Sequence, residues 1–235
     1  AFYAMALLSL LSMLLVASLL PEQERTQSMA RSGSLLAVFR RMLRSSRVMG
    51  MLLSRMATMI IMIPSIAFLP LLMQKTMGAT GIQIGLVVTC RTLVNAVMQI
   101  PFGRLADRRQ KHLLIFLGSS LISLGLVLVP FAGEVALLML LFALIGIGEA
   151  VVWPALGALA TEEGRTYGQG AMMGVFNMAM SAGLFVGSMG VGGLMDIFGI
   201  AWAFYTVALV LFACTIAAVL MIGPSPAGAA EDPPA

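Results

Sequence analysis

The chain has 235 residues, of which 60% are hydrophobic and only 10% charged, with a formal net charge of +4 and a mean hydropathy of +1.01. Soluble domains carry roughly 25% charged residues, so this composition excludes an ordinary water-soluble fold. The positive balance calls for no nucleic-acid partner, because the basic residues recur in alternate interspan segments, as a bilayer demands.

A membrane-crossing helix needs roughly 20 mostly apolar residues. Seven stretches reach that length, at 1–20, 48–73, 80–102, 113–131, 135–160, 170–195 and 200–222. Lipid requires every backbone polar group to be satisfied within its own segment or a closed barrel, and the alternation of barrel strands is missing. The expected fold class is therefore an all-α membrane protein with seven transmembrane helices.

The first span opens with Ala1-Phe2-Tyr3, and the last contains Ala203-Phe204-Tyr205. Ala6-Leu7 is echoed in the same register by Ala208-Leu209. The two spans read as one element present in two related halves, so the chain is expected to be the back part of a longer, duplicated membrane protein. The first span lacks the basic leader and cleavage pattern of a signal peptide.

Residues 21–47 separate the first two spans. Pro21 to Ser34 is polar and expected to be flexible. From 35 to 47 the pattern turns amphipathic, with Leu35, Leu36, Val38, Phe39, Met42 and Leu43 on one side of a helix and Arg40, Arg41, Arg44 and Arg47 on the other. Such a helix is expected to lie in the headgroup plane. Residues 223–235 form a short tail, expected to be disordered and cytoplasmic.

Three ionisable residues fall inside spans, where a charge is costly and marks a functional candidate. Arg55 lies about two turns into the second span, placed either to snorkel or to face a cavity. Arg91 and Glu149 lie near the middle of the third and fifth spans, at depths within ~5 Å of each other at 1.5 Å per residue. They are expected to face a central cavity, able to pair and to couple a proton to transport, against the plainer reading of a static pair that fixes helix packing. Burial disfavours the charged form of a carboxylate and a neighbouring arginine favours it. Thr89, Asn95 and Gln99 on the third span, Trp153 one turn after Glu149, and Asn177 on the sixth are candidates to line the same cavity. Trp153 and Phe176 are candidates to stack on an apolar or cationic substrate. The 20 methionines would make its walls adaptable. Cys90 and Cys214 lie inside spans and read as structural thiols.

Orientation follows from the basic residues. Arg25, Arg31, Arg40, Arg41, Arg44, Arg47, Arg104, Arg108, Arg109, Lys111 and Arg165 occupy alternate interspan segments, and the opposite ones hold Lys75 alone. Segments 21–47, 103–112 and 161–169, and the C-terminus, are therefore expected on the cytoplasmic side.

The segment after the third span runs Gly103-Arg-Leu-Ala-Asp107-Arg108-Arg-Gln-Lys111-His112. It resembles the signature loop of the major facilitator superfamily, Gly-x-Leu-Ala-Asp-Arg-x-Gly-Arg-Lys. Gln110 stands at the second glycine. Gly146-x-Gly148-x-Ala150-x-x-x-Pro154 is similar to the family's glycine-rich fourth and tenth helices, and Phe142 in place of the usual arginine suits the tenth. Gly183-x-x-x-Gly187 and Gly192-Gly193-Leu194-x-Asp196-x-x-Gly199 are similar to its eleventh helix and outer turn.

The resemblance implies helices six to twelve of a twelve-helix transporter. Residues 1–20 would end the N-terminal bundle, 21–47 would be the central linker, and 48–222 the C-terminal six-helix bundle of a major facilitator fold. The missing N-terminal half would be its structural partner. Gly103, Asp107, Arg108 and Lys111 would form a conformational latch, with Gly103 letting the helix end and turn.

The expected function is secondary active transport of small molecules by alternating access, as proton-coupled efflux of a drug or metabolite in a bacterial inner membrane. Uptake by proton symport is the alternative, and a seven-helix receptor or an inactive fragment are lesser ones. A receptor fits poorly, since no lysine in the last span could hold retinal. No enzyme and no cofactor or metal are expected: the lone His112 leaves no Ser/His/Asp set, and no Gly-x-x-x-x-Gly-Lys-Ser/Thr phosphate loop occurs.

Overall fold

A computed structural model describes residues 2–19 and 35–223, and every regular element in them is helical. The expected polar linker Pro21–Ser34 and the tail beyond Gly223 lie outside the described residues. The chain divides into two compact units, residues 1–38 and 39–235. The first holds helix α1 (Phe2–Leu19), which carries no charged residue and begins at the first copy of the repeated tripeptide. Helix α2 (Leu35–Arg44) straddles the division. On its second part Met42 is buried while Arg40, Arg41 and Arg44 are exposed, as the amphipathic pattern requires, but Leu43 of the apolar side is exposed as well.

The second unit contains six helices long and apolar enough to cross a membrane. The first of these runs from Ser46 to Met77 but is not uniform. It consists of α3 (Ser46–Ile60), a π-helical turn (Pro64–Phe68) and α4 (Leu69–Met77). Pro64 and Pro70 lack the N–H that an α-helical ladder needs, and the chain accommodates them by widening one turn. The Ser65 hydroxyl donates to the Ile61 carbonyl at 3.0 Å across this turn. Gly78 then ends α4 in the left-handed region at φ 59°.

Helices α5 (Gly81–Arg108), α6 (Lys111–Leu128), α7 (Val135–Tyr167), α8 (Gln169–Phe198) and α9 (Ile200–Ile222) complete the unit. A capping box starts α5: Gln83 N–H donates to the Thr80 hydroxyl, and the Gln83 side chain accepts from Thr80 N–H. Gly168 (φ 95°) and Gly199 (φ 89°) each supply the whole connection between successive helices. Helix α7 packs on α5, α6 and α8, and α3 packs on α8 and α9, with α6 against α9 closing the set.

Helix ends differ from the expected span ends. The segment 103–112 is not a loop: α5 continues to Arg108, α6 begins at Lys111, and only Arg109 and Gln110 intervene. Gly103 thus sits inside a helix, with nothing within 4 Å of where its β-carbon would lie, and terminates nothing. Segment 161–169 is likewise helical except for Gly168. Leaving the apolar layer does not end a helix, because its internal hydrogen bonds persist in water; only a reversal of the chain does. The amphipathic helix is also shorter than 35–47. It stops at Arg44, and Ser45 caps the next helix by accepting from Val48 N–H.

One end of the bundle therefore carries Arg47, Arg104, Arg108, Arg109, Lys111 and Arg165. At the other, Phe131, Tyr205, Trp202 and Phe198 form a continuous aromatic row with ring centroids 6.1–6.3 Å apart. Aromatic residues favour the membrane–water boundary.

Candidate functional site: a buried ion pair, a stacked arginine and a charged clamp

Three glycine contacts set where the helices meet. A β-carbon on Gly146 of α7 would lie 2.6 Å from the Arg91 carbonyl oxygen, so the α5 and α7 backbones touch there. On the other side of α7, Gly148 abuts Gly118 and Ile122 of α6. Gly183 and Gly187 of α8 lie against Met56 and Ile60 of α3. Small residues permit such approach in lipid.

The contact at Gly146 places Arg91 beside Glu149, one turn further along α7. Arg91 Nε donates to Glu149 Oε2 at 3.1 Å, and Nη2 donates to Oε1, a bidentate pair. Both residues are buried, at 7% and 4% exposure, so neither charge is served by solvent. Nη2 also lies 3.8 Å from the Met62 sulfur, just before the widened turn of the first span. Below Arg91 on α5, Asn95 donates to the Gly146 carbonyl at 3.5 Å, and Gln99 donates to Asn95 Oδ1 at 2.8 Å. Arg91, Asn95 and Gln99 thus form one polar stripe that follows the α5–α7 seam.

Arg55 is not part of this pair. It is half-buried on α3, and its guanidinium carbon stands 4.7 Å from the Phe176 ring centroid on α8. Nη2 lies 3.2 Å from the Met180 sulfur. The face of Phe176 suggested for a cationic substrate is therefore occupied by the protein's own cation. Trp153 is half-buried, and its indole N–H is buried without an acceptor. Thr89 and Asn177 are exposed on α5 and α8 and make no contact with the ion pair.

A second charged group ties the basic end together. Arg47 Nη2 meets Glu162 Oε2 at 3.1 Å, Arg47 Nε meets Glu163 Oε1 at 3.1 Å, and Lys111 Nζ meets Glu162 Oε1. Two cations and two carboxylates so link the starts of α3 and α6 to the end of α7. Of the expected latch residues, only Lys111 joins this clamp. Asp107 and Arg108 are exposed and form no ion pair among the described residues. Glu162 and Glu163 were not among the expected site residues. The available signal was an adjacent acidic pair within a segment set whose charges are mostly basic.

A profile of the Major Facilitator Superfamily matches residues 48–235, which cover all six membrane-crossing helices. The chain belongs to the major facilitator superfamily, a family of membrane transporters. It is similar to an uncharacterized MFS-type transporter of Methanocaldococcus jannaschii, with 30% identity over 119 residues, 51% of this chain and 31% of that protein. It is also similar to the multidrug resistance protein MdtG of Rahnella sp., at 31% identity over 161 residues, and of Klebsiella pneumoniae, at 28% over 160 residues. Each MdtG alignment covers 66% of this chain and 38% of the relative, so the match spans well under half the length of these curated relatives.

Proposed function

We propose that this chain is the C-terminal part of a secondary active transporter that expels small molecules in exchange for protons by alternating access. In this reading residues 1–20 close the N-terminal bundle, 21–47 are the central linker, and 48–222 are the C-terminal bundle. The basic end faces the cytoplasm of a bacterial inner membrane. The single observation that carries the reading is the bidentate Arg91–Glu149 pair, buried between α5 and α7 in the interior of both helices.

Such a pair is a poised proton site. While the helices touch, arginine neutralises the carboxylate. If α5 moves off α7, the carboxylate is left ionised in a low-dielectric interior, a costly state that proton uptake relieves. Met62 brings the widened turn of the first span to the same point, so bending there reaches the arginine directly. The efflux direction is supported by the word "multidrug" in the names of the MdtG relatives. Lys111 and its carboxylate partners, with Asp107 and Arg108 free to meet the preceding half, hold the basic end shut in one access state.

The test uses the full-length protein in vesicles with an imposed proton gradient. Glu149→Gln keeps the shape and removes the titratable oxygen, and it is expected to abolish gradient-driven flux while the protein still folds. Undiminished gradient-driven flux in that variant removes Glu149 from coupling. Accumulation driven in the same direction as the proton flow establishes uptake by symport instead.

A further inference from the structure

The charges inside the bundle do not balance. Among the described residues its interior charged side chains are Arg55, Arg91 and Glu149, two cations and one anion. The carboxylate is fully engaged by Arg91 through two hydrogen bonds. Arg55 forms no ion pair among the described residues. Its guanidinium rests on the Phe176 ring and the Met180 thioether, and its Nε is buried with no acceptor. A ring face and a sulfur soften a positive charge without cancelling it.

Arg55 has company at its depth. The clamp sets the register, since Arg47 on α3 meets Glu162 and Glu163 on α7. Counting about 1.5 Å per residue from that level, Arg55 lies about 12 Å inward along α3 and Trp153 about 14–15 Å inward along α7. The Trp153 indole N–H is a second buried N–H without an acceptor at this level, where the Ser54 and Ser119 hydroxyls are also buried without a partner. Arg55, Phe176 and Met180 thus form one cluster that presents an unneutralised cation on an aromatic ring and a flexible thioether, and Trp153 stands at the same depth with its N–H unanswered. Met62, seven residues beyond Arg55 and between α3 and the widened turn, touches Arg91, so the same membrane-crossing segment reaches both Arg55 and the ion pair.

We infer that Arg55 is the anchor for an anionic group on the transported molecule, with Trp153 as a second donor and Phe176 and Met180 as the apolar cradle. The cargo class is an organic anion with an apolar body, carrying a carboxylate, sulfonate or phosphonate. This deepens the transport reading and rests on it. An anion entering beside Arg55 brings the sum of these three charges to zero, a preference that follows from the cost of an unpaired charge in the membrane. A cation would meet Arg55 as a like charge.

Two xanthene dyes of opposite charge serve as probes, carboxyfluorescein as the anion and rhodamine 123 as the cation, with the full-length protein in proteoliposomes. Wild-type protein is expected to move carboxyfluorescein. Arg55→Gln is expected to raise its KM about tenfold or more, the loss of one charge-assisted contact, while rhodamine 123 flux holds or rises. Arg55→Lys retains the charge and is expected to keep most carboxyfluorescein transport. In detergent, carboxyfluorescein is expected to raise the Tm of wild type but not of Arg55→Gln, which reads binding apart from flux. An unchanged carboxyfluorescein KM in Arg55→Gln overturns the inference. Equal loss for both dyes also overturns it and gives Arg55 a structural role that does not depend on the charge of the cargo. Wild type that moves only rhodamine 123 overturns the anion assignment and leaves transport standing, whereas wild type that moves neither dye and shows no Tm shift overturns both.

Discussion

Gly146 meets the main chain of Arg91 so closely that a β-carbon at 146 would stand 2.6 Å from the Arg91 carbonyl oxygen. The obstacle is backbone, which cannot swing aside as a side chain can. Any larger residue at 146 must push α5 away from α7, and that seam holds Glu149, the one fully buried carboxylate among the described residues. Gly146→Val is therefore expected to cost about 1–3 kcal/mol, the usual range for overpacking, and to abolish gradient-driven transport. Thermal unfolding in detergent and flux in vesicles check the two parts. A valine variant with wild-type stability and flux would show that the seam tolerates separation.

The Arg91–Glu149 pair should respond asymmetrically to single and paired changes. Removing one member strands a buried charge, at about 3–5 kcal/mol. Arg91→Met alone is expected to lower Tm sharply, whereas Arg91→Met with Glu149→Leu should recover most of the loss because no charge remains. Flux should stay absent in the double variant. If the double variant is as unstable as Arg91→Met, the instability comes from lost packing and not from an uncompensated carboxylate.

The clamp at the basic end is partly solvated, with side-chain exposures of 28% for Arg47 and 41% for Glu162. Each of its pairs is worth about 1 kcal/mol or less, and about 1 M salt should erase most of that. Glu162→Gln is thus expected to change Tm little. Its effect should appear in conformation, as faster labelling of a cysteine introduced near the basic end in full-length protein. A large Tm loss that persists at high salt would mean that Glu162 acts through packing.

Arg55 sits over the Phe176 ring at 4.7 Å. The ring face attracts the cation, an effect of about 1 kcal/mol or more once desolvated. Phe176→Leu should lower Tm by a measurable step, while Phe176→Trp should preserve stability if the larger ring fits. Equal stability of the leucine variant and wild type would show that the stack carries no energy.

The six crossings were legible because length and apolarity are local properties that lipid reads directly. The depths of Arg91 and Glu149 were legible for the same reason, as residue counts along helices. Their contact was not, since two residues at one depth can face any direction. What turns them together is Gly146, whose packing role the sequence suggested without naming its partner. Helix ends were misjudged at 103–112 and 161–169, where polarity was taken for a loop although charged residues extend α5 and α7 into water. Glu162 and Glu163 escaped notice because an acidic pair at the polar end of a helix resembles ordinary solvation until its cations are placed beside it.

Composition and spacing by themselves determined that this is a multi-pass helical membrane protein with a basic end and intramembrane charges, and a short motif after the third span carried the resemblance to its family. Those follow from the partition of each segment between lipid and water, which depends on nearest neighbours in the chain. Only the tertiary structure decided which arginine neutralises Glu149 and which is left against a phenyl ring. That choice depends on the rotation and crossing of helices far apart in sequence, and a few glycines at their contacts set it.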